Sequence, residues 1–76
     1  MTGDELRQIA YRQPFKPFRV TLLSGERIEI RRSLRATVWP DRVIFGVDED
    51  PVTGVARRMR MIALRDIAKV EELAAA

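Results

Sequence analysis

The most constraining stretch of this sequence runs from Pro14 to Ile30, Pro-Phe-Lys-Pro-Phe-Arg-Val-Thr-Leu-Leu-Ser-Gly-Glu-Arg-Ile-Glu-Ile. Pro14 and Pro17 bar a helix from running through it, because proline lacks the amide proton and its ring disfavours helical geometry in the preceding residue. From Phe18 the apolar period becomes two. Phe18, Val20 and Leu22 alternate with Arg19 and Thr21, and Ile28 and Ile30 alternate with Arg27, Glu29 and Arg31. Two strands, each with one core face and one wet face, are thus divided by a Ser-Gly turn into a hairpin. Parity then selects the register. A two-residue loop of Ser24 and Gly25 sets Leu22 against Arg27, core against polar. A three-residue loop of Leu23, Ser24 and Gly25, with Gly25 left-handed in a bulge, pairs Phe18 with Ile30 and Val20 with Ile28. It also pairs Arg19 with Glu29 on the outer face.

Upstream, Thr2 followed by Glu5 is a capping box, and Leu6, Ile9, Ala10 and the stem of Gln13 share one face. The spacing predicts a helix over about residues 3–13, ended by Pro14 and docked on the sheet by its apolar stripe. Downstream, Arg31-Arg32-Ser33-Leu34-Arg35 connects to a second hairpin, Ala36–Trp39 and Arg42–Val47, turning at Pro40-Asp41 with Val43, Phe45 and Val47 inward. Asp48 to Gly54 has the composition of an exposed loop, and its three carboxylates match no EF-hand spacing. In the last long run Met59, Met61 and Ala63 share one face and Arg58, Arg60, Ile62 and Leu64 the other. Ile62 and Leu64 on that half-basic face require a cover, either the first helix or another subunit. Leu64, Ile67, Val70 and Leu73 recur every three residues, which fits a helix or a tight turn followed by a short closing strand. The turn and strand are expected, because an open edge needs covering. The resulting expectation is an α+β chain forming one domain over residues 1–76. An N-terminal helix precedes a strongly bent antiparallel sheet of about five strands over about residues 17–71, a small barrel, with an Ala-rich tail at 74–76.

Composition narrows the function. Seventy-six residues bury only about 60% of the surface the unfolded chain exposes. Without cysteine or histidine, neither a disulfide nor one of the usual zinc sites can staple so small a core. Self-association is therefore the default expectation, with Leu23, Ile62 and Leu64 as its candidate interface. The absence of histidine also removes the usual base of triad chemistry, and the scattered Gly3, Gly25, Gly46 and Gly54 make no phosphate loop. No enzymatic activity, cofactor, metal, membrane or small-molecule substrate is expected. The acidic start Met1-Thr2-Gly3-Asp4-Glu5, where a signal peptide would be basic, points to a cytoplasmic location. Twelve of the fourteen basic residues are arginine, and the net charge is +3. Arg31, Arg32 and Arg35 in one connection, with Arg57, Arg58 and Arg60 in the last long strand, are the candidate nucleic-acid contacts, and Trp39 or Tyr11 the candidate base-stacking platforms. The primary reading is a non-catalytic, self-associating interaction module, and RNA or an acidic protein bound at an arginine rim is the alternative.

Pro14-Phe15-Lys16-Pro17-Phe18, Leu22-Leu23-Ser24-Gly25 and the closing Ile67, Val70 and Glu71 resemble a group of short uncharacterised bacterial proteins. Members of that group place a Pro-Phe-x-Pro-Phe lead-in before a strand ending in Leu-x-x-Gly and close on Ile-x-x-Val-Glu. Many place a His-Pro pair where this chain has Arg32-Ser33-Leu34. More distantly, a helix followed by a small bent sheet, with Leu22-x-x-Gly25 at its first turn, is similar to the SH3-like and Sm-like small barrels. That resemblance implies a homo-oligomer and RNA as a partner. The second glycine and the basic-Gly signature of the Sm-like proteins have no counterpart here.

Overall fold

The computed structural model describes residues 1–33 and 35–73. Helix α1 (Gly3–Ala10) precedes six strands, β1 (Phe18–Leu22), β2 (Arg27–Ile30), β3 (Ala36–Val38), β4 (Arg42–Glu49), β5 (Ala56–Ala63) and β6 (Ile67–Glu72), with a 3-10 turn at Leu64–Asp66 between the last two. The strands form two antiparallel three-stranded sheets, ordered β2-β1-β6 and β3-β4-β5. The expected Ala-rich tail at 74–76 lies outside the described residues.

Helix α1 starts where the capping box places it. The Thr2 hydroxyl accepts from the Glu5 amide at 3.2 Å, and Leu6 and Ala10 are buried. It ends three residues short of the expected boundary, at Ala10. A proline at position 14 excludes Gln13 from helical geometry and would clash with the carbonyl of Ala10. The chain leaving the helix gains other partners: the Tyr11 hydroxyl accepts from the Val38 amide at 2.9 Å, and Arg12 pairs with Glu72.

The first hairpin has the register that parity demands, Phe18↔Ile30, Arg19↔Glu29 and Val20↔Ile28. Gly25 carries φ +91° in the three-residue loop, which is closed by the Leu22 amide donating to the Glu26 carbonyl at 2.8 Å. In the second hairpin Val43 and Phe45 point inward and are fully buried. With Leu6, Phe18 and Val20 they form the centre of a core lying between the two sheets and under α1. Strand β4 runs on to Glu49, so Asp48 and Glu49 belong to a strand and not to the exposed loop expected there. The chain bends at Asp48, whose φ is +59°.

Two expectations are corrected. Among the described residues the strands number six, not about five, the three-residue β3 and the closing β6 each pairing as a strand of its own. The sheets also do not close into a barrel. Where β2 and β5 would meet, a side-chain ion pair between Arg60 and Glu26 spans the gap in place of a backbone ladder. On the opposite side α1 fills the space beside β3, and its outgoing residues Tyr11 and Arg12 reach β3 and β6 respectively.

Candidate interaction surface

The exposed apolar surface of β5 lies on the face opposite the one expected as an interface. Ile62 and Leu64 are only 7% and 5% exposed, covered from within the chain as part of the core. They are not available as an interface. Met59 and Met61, on the other face, are 66% and 61% exposed. Pattern alone leaves the choice open, since a strand with Met-x-Met on one face and Arg-x-Ile on the other has no unambiguous apolar side. Pairing decides it: Val43, a fully buried residue, lies opposite Ile62, whereas the half-buried Ile44 lies opposite Met61. Leu23, at the tip of the first hairpin, is 68% exposed.

Around Met61 the outer face of the β3-β4-β5 sheet carries more apolar surface. The Arg42 guanidinium lies 5.8 Å from the centre of the exposed Trp39 ring, and its Nη1 lies 3.7 Å from the Met61 sulfur. Trp39 is thus held against a cation from its own chain. Tyr11, the other candidate stacking residue, has its hydroxyl committed to β3.

The edges of the sheets differ in what remains unpaired. The Gly46 amide donates to the Arg35 carbonyl and the Trp39 amide to the Arg42 carbonyl. Even-numbered residues of β4 therefore direct their backbone groups to β3, and Val43, Phe45 and Val47 direct theirs to β5. Their partners are Ile62, Arg60 and Arg58. It follows that the amide and carbonyl groups of Met59 and Met61 point away from the sheet, whereas beyond the Asp48 bend the alternation changes, the Asp50 amide donating to the Val55 carbonyl. The same reasoning in the first hairpin leaves the backbone of Arg27 and Glu29 facing outward, on a strand of four residues. The β3 edge is blunted by the Tyr11 hydroxyl. Strand β5, eight residues long, is the longest edge.

The six candidate arginines stand among carboxylates. Arg31, Arg58 and Arg60 line a single groove of about 470 Å³ between β2 and the β4-β5 ribbon, together with Glu26, Glu29, Asp48 and Glu49. Arg32 and Arg35 both converge on Glu49, each at 2.9 Å, and Arg35 also donates to the Gly54 carbonyl. Gly46 makes room for this, because a Cβ there would meet the Ala56 Cβ at 3.0 Å and the Arg35 Cδ at 3.3 Å. Arg57 meets Asp50 at 3.0 Å, Arg58 meets Asp48 at 3.6 Å, and Arg31 meets Glu29 at 3.0 Å. Each of the six thus faces a carboxylate of its own chain. The acidic segment that composition marked as a loop is the counter-charge for Arg32, Arg35, Arg57 and Arg58.

These pairs hold several carboxyls below their ordinary range. Hydrogen bonds from Arg60 act on Glu26, from Arg19 and then Arg31 on Glu29, from Arg35 on Glu49, and from Arg42 on Asp41. For Asp50 the Arg57 guanidinium comes first, followed by the amides of Thr53 and Val52. All lie at the surface, so the pairs organise side chains more than they stabilise the fold.

Among the described residues, no helix is long and apolar enough to cross a membrane. No protein-family model matches the chain, and neither a curated protein nor a solved structure matches it.

Proposed function

We propose that the protein is a non-catalytic interaction module that self-associates through the open edge of β5. The observation that carries this reading is the coincidence, on one eight-residue edge strand, of outward backbone groups at Met59 and Met61 with the exposure of both methionine side chains. An unpaired edge is a template for another strand, and native proteins normally blunt it. Here the β3 edge is blunted by Tyr11, and the short β2 edge carries Arg27 and Glu29. The β5 edge carries a flexible thioether surface of the kind that adapts to a partner.

A second copy fits this edge by symmetry. In an antiparallel pair about a two-fold axis at Met59, Met59 lies opposite the second copy's Met59, and Arg57 opposite its Met61. Outward backbone groups then meet outward backbone groups, and the methionine stripes merge on one face. On the other face Arg58 opposes Arg60, each accompanied by its own carboxylate, Asp48 or Glu26. Strand pairing of this extent belongs to the small, weak class of interfaces, with a dissociation constant on the order of 10 μM. Because like charges approach, salt strengthens this association, whereas a complex with RNA weakens steeply with salt.

Light scattering over a concentration series tests the reading. The wild type should approach twice the monomer mass at the upper end, more readily at higher salt. Met59→Lys and Met59→Pro should remain monomeric and folded, since the Met59 amide takes no part in the β4-β5 ladder and its side chain is exposed. A wild type that stays monomeric throughout, or a Met59→Lys variant that associates as the wild type does, refutes it.

A further inference from the structure

The outer face of the β2-β1-β6 sheet holds two adjacent rows of side chains with opposite character. In one row Arg19 of β1 lies between Glu29 of β2 and Glu71 of β6, at 2.9 Å and 3.8 Å from their carboxylates. Its charges are satisfied within the row. In the next, Thr21 lies between Arg27 and Lys69. Directly opposite residues on neighbouring strands have Cβ atoms about 5 Å apart, so two long cationic arms flank one hydroxyl.

Three observations set this second row apart. Among the described residues, Arg27 has no carboxylate within ion-pair distance, and Lys69 approaches only Glu71, at 3.7 Å, beyond a hydrogen bond. The Thr21 Oγ1 is buried and has no hydrogen-bond partner, the single such side-chain atom among the described residues. A buried polar atom without a partner is costly and marks a place where an ion or water belongs. Finally, the β1-β6 ladder shifts register between Thr21 and Leu22, placing Ala68 as an extra residue next to Lys69. Such a bulge twists the strand and re-aims the side chains beside it.

We propose that this row is a binding site for a phosphate-type oxyanion. The guanidinium of Arg27 supplies a two-pronged donor and the ammonium of Lys69 a third, and when these two arms part to admit the anion the hydroxyl of Thr21, covered in this structure, supplies a fourth at the base. Two positive charges match a phosphate dianion, and donors rising from three strands suit a tetrahedral group better than a planar carboxylate. The site lies on the other sheet from the β5 edge and does not depend on self-association. The same chemistry is offered by a free phosphate and by a phosphorylated side chain of a partner protein.

The test is a ¹⁵N NMR titration of the full chain with inorganic phosphate, against sodium chloride at matched ionic strength. Saturable shifts centred on Thr21, Arg27 and Lys69 are expected for phosphate and not for chloride. Arg27→Ala and Lys69→Ala should each weaken binding about tenfold, and Thr21→Val several-fold, while Met59→Lys leaves it unchanged. Arg27 and Lys69 are exposed, so these variants fold. A parallel titration compares a phosphoserine peptide with its unphosphorylated form. Tighter binding of the phosphopeptide than of inorganic phosphate assigns a protein-borne group, and equal or weaker binding assigns a free one. Non-saturating drifts shared with chloride, or saturable binding that survives Arg27→Ala and Lys69→Ala together, overturn the proposal.

Discussion

Met61 and Ile62 are neighbours on one strand, and the structure assigns them opposite fates. Replacing each by alanine is therefore a sharp test of which face of β5 enters the core. Ile62 is 7% exposed and lies opposite the fully buried Val43. Truncating a buried isoleucine removes its transfer free energy and leaves a cavity, together about 2–5 kcal/mol. A chain of this length has a total stability of about 4–11 kcal/mol. Ile62→Ala thus removes a large fraction of it, and a loss of about 3 kcal/mol lowers Tm by roughly 12–24 °C at the usual sensitivity for small domains. Met61→Ala acts on a side chain that is mostly in water, so its cost stays within about 0.5 kcal/mol. Thermal and urea unfolding, monitored by circular dichroism at low micromolar concentration so that self-association does not contribute, measure both. In urea the midpoint of Ile62→Ala should fall with an unchanged slope. Equal losses for the two variants, or a larger loss for Met61→Ala, would refute the assignment of faces and with it the open methionine edge.

Two further outcomes follow from particular contacts. At Gly25 there is open space for a Cβ, so Gly25→Val is penalised by its φ of +91° alone, by at least about 1–2 kcal/mol; an unchanged melting temperature would contradict the three-residue loop. The carboxyls of Glu26, Glu29, Asp41, Glu49 and Asp50 all sit below their ordinary values of 4.5 for glutamate and 3.8 for aspartate. The unfolded chain therefore binds more protons as the pH falls through that range. Stability should be fully present above about pH 6 and decline progressively below pH 5, and added salt should flatten the decline in urea melts run across the series.

Much of the fold was legible from residue order alone. The capping box at Thr2 and Glu5, the stop imposed by Pro14, and the register of the first hairpin are local consequences of backbone chemistry and of a period-two pattern. The turn and strand after Leu64 follow the same logic. Barrel closure was not legible, because it depends on whether two strands distant in sequence come within one ladder spacing. Here Arg60 and Glu26 span that gap with side chains.

The candidate surface shows the same division more sharply. Local pattern established that β5 is a strand with two chemically mixed faces, but not which face is covered, since Met59 and Met61 are as apolar as Ile62 and Leu64. Only packing against β4 decides it, by setting Ile62 opposite Val43. The arginine runs were equally visible as runs, yet their partners Glu26, Asp48, Glu49 and Asp50 come from elsewhere in the chain. The row Arg27, Thr21 and Lys69 joins three strands, one of them more than forty residues away from the other two. What the sequence by itself determined is therefore the order of the elements, the start of the helix and the register of the first hairpin, because these rest on interactions between near neighbours. Which surfaces stay open was decided by the tertiary structure, because covering a face or neutralising a charge takes a partner that only the folded chain brings near.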